Sequence, residues 1–519
     1  MSHITRRTAI ALGTASLAAP AFGHSRRPAK IEQWCVFETT LDGPKGGNPF
    51  RDIALSGIFE CGSKMQEAAG FYDGDGIWRI RFMPDRPGTW HYRTTSNARE
   101  LDGKTGSFDV TPAGPHNHGP VAGANTFHFA YTDGTPYLPF GTTSYAWTHQ
   151  SDAQCALTLK TLATAPFNKL RFAVFPNGDA ASIPLYPFVG APHAWDYTRF
   201  NPAFFHRLEY FVGRLRDLSI EADIILFHPY DAGKWGFDAM PPEVDERYLC
   251  YLIARLASFR NVWWSLANEY DIIKAKTESD FDRLFQVVRT NDPYGSLRSI
   301  HHLHKIYDNT KPWVTHASLQ NGSAAEDDAR AMLYRDVWRK PVVFDEVKYE
   351  GNIAKRWGNI SGKEMVRRVW AGAIGGTYVG HGEAIEDNEH HMFLGEGGVL
   401  KGESPARLAF FRKIIEEGPP AIDPIDKWQD RHLGGVPGRY YLRYFGCDVP
   451  KEWPFVLPKD GVAAGQSFTV DVIDTWNMTV AAVPGTFTVR KADEYSFTAD
   501  RAVPLPQKQY MALRIRRMS

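Results

Sequence analysis

Cysteine is scarce in this chain: five are spread over 519 residues, at Cys35, Cys61, Cys155, Cys250 and Cys447. None forms a C-x-x-C pair, which excludes the common structural zinc frameworks. The odd count leaves at least one thiol unpaired, while Cys35 and Cys61 are near enough in sequence to bridge within one small domain. Excess charge of either sign is also lacking, with 59 basic and 59 acidic side chains and no long basic run. That argues against nucleic acid or an anionic membrane as the main partner. No stretch reaches the ~18 consecutive apolar residues of a membrane-spanning helix, so no membrane insertion is expected. There is no G-x-S-x-G elbow of the kind serine esterases use. No glycine-rich phosphate loop follows the first strand of the central region. Apolar residues are 43% and charged residues 23%, which rules out a disordered, collagen-like or coiled-coil chain.

Aromatic residues are plentiful at 13%, with Trp 15, Tyr 22 and Phe 32. Part of that excess belongs in cores. In a charge-balanced protein the rest points to a stacking surface for a neutral, flat-faced ligand, which suggests sugar. The length predicts about three domains. Residues 1–24 read as a removable export signal, with Arg6-Arg7, a weakly apolar run over 9–19 and small residues at Ala19, Ala21 and Gly23. They resemble a bacterial twin-arginine signal, although Ala9 stands where a bulky residue is usual. The expected location is therefore periplasmic or secreted.

Residues 28–112 alternate in short strands such as Trp78-Arg79-Ile80-Arg81-Phe82, with turn signals at Asp73-Gly74 and Pro87-Gly88. They predict an immunoglobulin-like β-sandwich. A linker over 113–125 follows. Residues 126–420 alternate short apolar strands with amphipathic helices. Strands are expected at 138–142, 169–175, 222–228, 262–267, 297–301, 313–317, 342–347 and 377–382. Asn201-Pro202 should cap a helix with its apolar stripe on Phe204, Leu208, Phe211 and Leu215. Ser361-x-x-Glu364 reads as a capping box. Eight strand–helix units over ~280 residues predict a (β/α)8 TIM barrel. Residues 428–519 return to strands and predict a C-terminal β-sandwich.

In such a barrel, chemistry sits where strands meet the C-terminal face. Strand four ends Ser265-Leu266-Ala267-Asn268-Glu269 and strand seven ends Phe344-Asp345-Glu346. Two carboxylates facing across a barrel mouth suit glycoside hydrolysis. Asp345 is the rival to Glu346, and strand alternation points the two to opposite faces. Arg171 in strand two, His228 after strand three, His316 in strand six, and His301 and His302 after strand five are further polar candidates. Aromatics gather at the same mouth, among them Tyr145, Trp147, Tyr230 and Trp235. The stretch from His381 to His391 holds several acids and histidines, but its spacing is irregular for a metal.

An Asn-Glu pair ending strand four with a Glu ending strand seven resembles the clan A retaining glycoside hydrolases. The flanking sandwiches add a likeness to apiosidase-like and family-5-like glycosidases. The resemblance implies that Glu269 is the acid/base and Glu346 the nucleophile. It also implies that Asn268 contacts the sugar, that Arg171 orients Glu346, and that His228 and His316 lie near the substrate. No cofactor or metal is implied, and the partner is a carbohydrate. Strand eight departs from the family-5 pattern of a tryptophan platform. It reads Tyr378-Val379-Gly380-His381-Gly382, so Tyr378 or His381 is the expected replacement, with a furanoside or other uncommon sugar and exo action as further expectations. Competing expectations are a glycan-binding scaffold with a degenerate barrel, and a polysaccharide lyase.

Overall fold

A computed structural model describes residues 29–178, 180–320, 328–426 and 430–518. The export signal over 1–24 and the domain start at 428 lie outside the described residues. All five cysteines are free thiols. No helix among the described residues is long and apolar enough to cross a membrane.

The N-terminal strands form one seven-stranded path. Its order is Ala29–Glu32, Thr105–Thr111, Gly88–Ser96, Leu55–Cys61, Lys64–Tyr72, Ile77–Phe82 and Phe37–Asp42. Alternate residues of these strands point inward. The path folds over on itself, so that Phe37 from its last strand stacks on Phe108 from its second at 3.8 Å between ring centroids. Phe59, Phe82 and Trp90 complete this sandwich core.

A buried ionic cluster joins the sandwich to the barrel. Asp73, with a side chain only 2% exposed, meets Arg255 at 2.8 Å, Arg79 at 2.6 Å and His206 at 2.7 Å. Arg81 reaches Glu209 at 2.9 Å. Burial would raise the Asp73 carboxyl, but the charges of Arg255 and Arg79 hold it below its ordinary value. A depressed carboxyl contributes stability above its unfolded pKa and loses it as pH falls through the folded one. Asp73→Ala leaves Arg255 buried beside a lost partner. Arg255 keeps its pair with Glu209, so the variant should destabilise the protein by about 1–3 kcal/mol, read by chemical denaturation at neutral pH.

The central region is a parallel barrel. Its eight strands are Gly141–Thr143, Lys169–Ala173, Glu221–Ile225, Val262–Ser265, Arg298–Ser299, Ala317–Gln320, Val342–Glu346 and Tyr378–Val379. Strands one to five form one sheet and six to eight another. Thr315 N donating to Arg298 O at 2.9 Å links five to six. The parallel bridge Thr142–His381 joins eight to one. Long helices follow every strand except the fifth. There the irregular stretch 300–316 replaces the expected helix. Asn201 caps the helix Pro202–Asp217, accepting from Ala203 N, and the stripe Phe204, Leu208, Phe211 and Leu215 is buried. Ser361 accepts from Glu364 N, but Glu364 turns to Arg367 and Arg368 instead of closing a capping box.

The barrel interior is layered. Part of the expected linker forms the strand Val121–Gly123, which pairs with Phe129–Tyr131 and then Pro136–Tyr137 under the N-terminal end. Phe129 and Tyr137 close that end against Trp263, Val343 and Tyr378. Above them lies a charged layer, Lys169 bridging Asp223 at 2.5 Å and Asp345 at 2.7 Å, all almost fully buried. The mouth lies above that.

The C-terminal strands make a second sandwich around Tyr441, Phe455, Phe468 and Phe487. Its first strand, Asp423–Asp426, pairs with Asp430–Val436. Trp370 of the helix Gly362–Ile374 stacks on Tyr444 at 5.5 Å, fixing this domain to the barrel.

Candidate active site

Strand seven delivers Glu346 through a bulge. Leu319 pairs with Phe344, and the next residue of strand six, Gln320, pairs with Glu346. Asp345 is the extra residue, so Asp345 and Glu346 do not face opposite ways as strict alternation demands. Asp345 bonds Lys169 and Ser318 within the barrel, and Glu346 lies above it at the mouth.

Three donors converge on one oxygen of Glu346. Tyr145 OH donates to Oε1, Arg171 Nη1 lies 3.1 Å away and His301 Nε2 lies 3.4 Å away. Burial would raise this carboxyl. The charge and hydrogen bond of His301, then Arg171 and Tyr145, outweigh it and hold the carboxyl at about 2. Tyr349 OH sits 3.2 Å from Tyr145 OH and completes the cluster.

Glu269 has the opposite environment. Burial, followed by the negative charge of Glu346, raises its carboxyl, and hydrogen bonds from Tyr230 and Gln320 only partly offset this. Glu269 also sits at φ 47°, a left-handed backbone that a residue with a side chain adopts at a cost of about 1–3 kcal/mol. Two bonds fix the flanking backbone: Asn268 N donates to Phe227 O and Tyr270 N donates to His301 O, both at 2.9 Å. Asn268 is fully buried. Its Oδ1 accepts from Arg171 Nη2 and its Nδ2 donates to Tyr230 OH. Arg171 therefore touches both the Asn268 side and the Glu346 side of the mouth.

His301 links Glu346 to the Asp345 layer below it. Its Nδ1 lies 3.0 Å from Ser318 Oγ, and that hydroxyl donates to Asp345. Its Nε2 faces Gln320 Oε1 at 3.2 Å as well as Glu346. Removing the imidazole should let the Glu346 carboxyl rise. In His301→Asn the acidic limb of the pH–rate profile should move to higher pH, with the protein still folded.

The structure brings Glu269, Glu346, Asn268, Arg171 and Tyr145 together. It places five other expected residues elsewhere. His228 has both ring nitrogens engaged by backbone, Nδ1 accepting from Tyr230 N and Nε2 lying 3.2 Å from Phe175 O. Burial lowers its pKa to about 4, so it is a neutral ring that shapes the turn carrying Tyr230. Trp147 lies in a short 3-10 turn after strand one that turns it outward onto Phe172 and Phe211. His316 precedes strand six, which starts later than expected, and packs on Phe129 and Trp263. Tyr378 begins strand eight and bonds His128 at the closed end, away from the mouth. His381 points outward by alternation, bonded to Thr142 and stacked on Phe167. Gln320 and Tyr349 were missed. Gln320 lay beyond the expected end of strand six, and Tyr349 lies in the loop after strand seven.

The apiosidase-like catalytic domain family matches residues 124–389, just over half of the chain. Two domains of unknown function, DUF5060 and DUF5605, match residues 30–97 and 428–516. A crystal structure of a Bacteroides vulgatus ATCC 8482 protein, provisionally classed as a glycoside hydrolase, is 42% identical. The alignment covers 94% of this chain and all of that one, with a TM-score of 0.92. A family 5 glycoside hydrolase from the same organism shares the fold at 14% identity and a TM-score of 0.56, over 78% of this chain and 94% of its own. No curated protein matches the chain. Through its catalytic domain, then, this chain belongs to the apiosidase-like family, and it is a glycoside hydrolase.

Proposed function

We propose that the protein hydrolyses its glycoside with retention of configuration, by double displacement. The observation that carries this is the divergence of the two mouth carboxyls. Glu346 is held ionised by three donors, while Glu269 is pushed toward its protonated form. Two titratable groups driven apart in this way are suited to separate roles. Glu346 attacks the anomeric carbon as Glu269 protonates the departing oxygen. Water then attacks the glycosyl ester, Glu269 removes its proton, and Glu346 leaves as a carboxylate. Asn268 and Tyr230 stand beside both groups and are placed to bond sugar hydroxyls. Export to the periplasm or beyond is part of the same reading.

The substrate reading is a furanoside or another uncommon sugar. No strand-eight ring reaches the mouth. Tyr349 instead lies over Gly382, where an added Cβ would come within 2.0 Å of the ring. A platform built from this tyrosine differs from a strand-eight tryptophan. The hairpin Phe188–Ala191 and Ala194–Phe200 extends the loop after strand two, and such a wall favours exo action. Proton NMR of early product from an aryl glycoside tests the mechanism. The first anomer formed should match that of the substrate. The opposite anomer would mean a single displacement by water.

A further inference from the structure

A cavity of about 250 Å³ opens at the N-terminal end of the barrel, opposite the mouth. Its walls include His116, His118 and Tyr131 from the segment below the barrel, Arg216 in the last turn of helix Pro202–Asp217, Arg260 before strand four, and Glu221 at the start of strand three. The polar groups there are incompletely matched. Arg216 shares its guanidinium with Asp217 at 2.8 Å. Arg260 has only Cys35 Sγ, at 3.9 Å, and no carboxylate at ion-pair distance among the described residues. Glu221 lines the same cavity without meeting Arg260, and receives one bond from Trp263 Nε1 at 3.0 Å. Burial raises the Glu221 carboxyl to about 8, so at neutral pH it does not cancel the guanidinium charge. Asn261, also in the wall, donates to Val212 O and Ile220 O at 3.1 Å each, and its buried Oδ1 has no partner. A buried acceptor left unmatched costs stability unless a ligand or water supplies a donor.

We propose that this cavity binds a small hydroxylated carboxylate, the chemical class of a sugar acid. Arg260 and His116 take the carboxylate, while Glu221 and Asn261 take hydroxyls; His118 lines the wall with its Nδ1 held by Asp133 at 2.8 Å. Arginine suits that role because its planar fork matches a carboxylate. The cavity is smaller than the ~300–1,000 Å³ of drug-sized pockets, which selects one sugar ring over a chain.

The test is calorimetric titration of the full protein with glucuronate, and with glucose as the uncharged control. Glucuronate should bind saturably with a Kd of about 1 mM or tighter, and glucose should not. Arg260→Met should weaken glucuronate ~10-fold or more while glycoside hydrolysis stays at the wild-type rate. His116 is exposed, so His116→Ala should fold normally and weaken binding by a smaller factor. It decides the matter if Arg260→Met does not fold. Absence of saturable binding, equal affinity for glucose, or unchanged affinity in the folded variants would overturn the proposal.

Discussion

Replacing Glu346 with alanine should lower kcat by at least ~10⁴-fold in a protein that remains folded. The size follows from the role. Glu346 is the one mouth carboxylate whose ionised form is secured from three sides, by Tyr145, Arg171 and His301. Without it no glycosyl ester forms, and the remaining donors have no anion to orient. Arg171 keeps its bond to Asn268, so the mouth retains its frame. Circular dichroism and the unfolding midpoint check that the fold survives. Azide added to Glu346→Ala should attack from the vacated face and restore turnover as a glycosyl azide of inverted configuration. Near-normal turnover in the folded variant would remove Glu346 from the mechanism.

Glu269→Ala should discriminate between leaving groups. Loss of a general acid costs about 10²–10⁴-fold when the departing oxygen needs a proton. Alkyl and sugar leaving groups should lose activity on that scale. A dinitrophenyl leaving group departs without protonation, so its first step should be nearly unaffected. The second step then lacks its base, the glycosyl-enzyme accumulates and KM falls. The pH profile should change with it. The wild-type enzyme needs Glu269 protonated, so activity is lost as pH rises through its raised pKa. Glu269→Ala should lose that basic limb and keep the acidic one set by Glu346. A uniform loss across all leaving groups, with the basic limb intact, would deny Glu269 the acid/base role.

The barrel was legible in the sequence because its strands are apolar runs bounded by capped helices, and the Asn201-Pro202 signal sits at a real helix start. The place where the chain carries no helix, between strands five and six, was not legible. The run Trp313-Val314-Thr315-His316 looks like a strand, yet strand six begins at Ala317. That offset hid Gln320 and misplaced His316. Strand eight failed for a related reason. Only Tyr378 and Val379 pair with strand seven, and Tyr378 lies at the closed end of the barrel. The bulge at Asp345 has no sequence signature, and alternation therefore gave the wrong relation between Asp345 and Glu346. The carboxylates themselves were readable because each follows an apolar run at a strand end. The split in their titration was not, since it depends on Tyr145 just after strand one, Arg171 from strand two and His301 just after strand five meeting at one oxygen.

The most direct measurement is covalent trapping. An activated 2-fluoro glycoside of the sugar that the enzyme turns over slows both steps, and a good leaving group keeps the first the faster of the two. Mass spectrometry of the inactivated protein should show one fluoroglycosyl group per chain, and the peptide bearing it should carry the label on Glu346. A turned-over substrate whose 2-fluoro analogue leaves no label, or a label on any other residue, would contradict the mechanism proposed for this site.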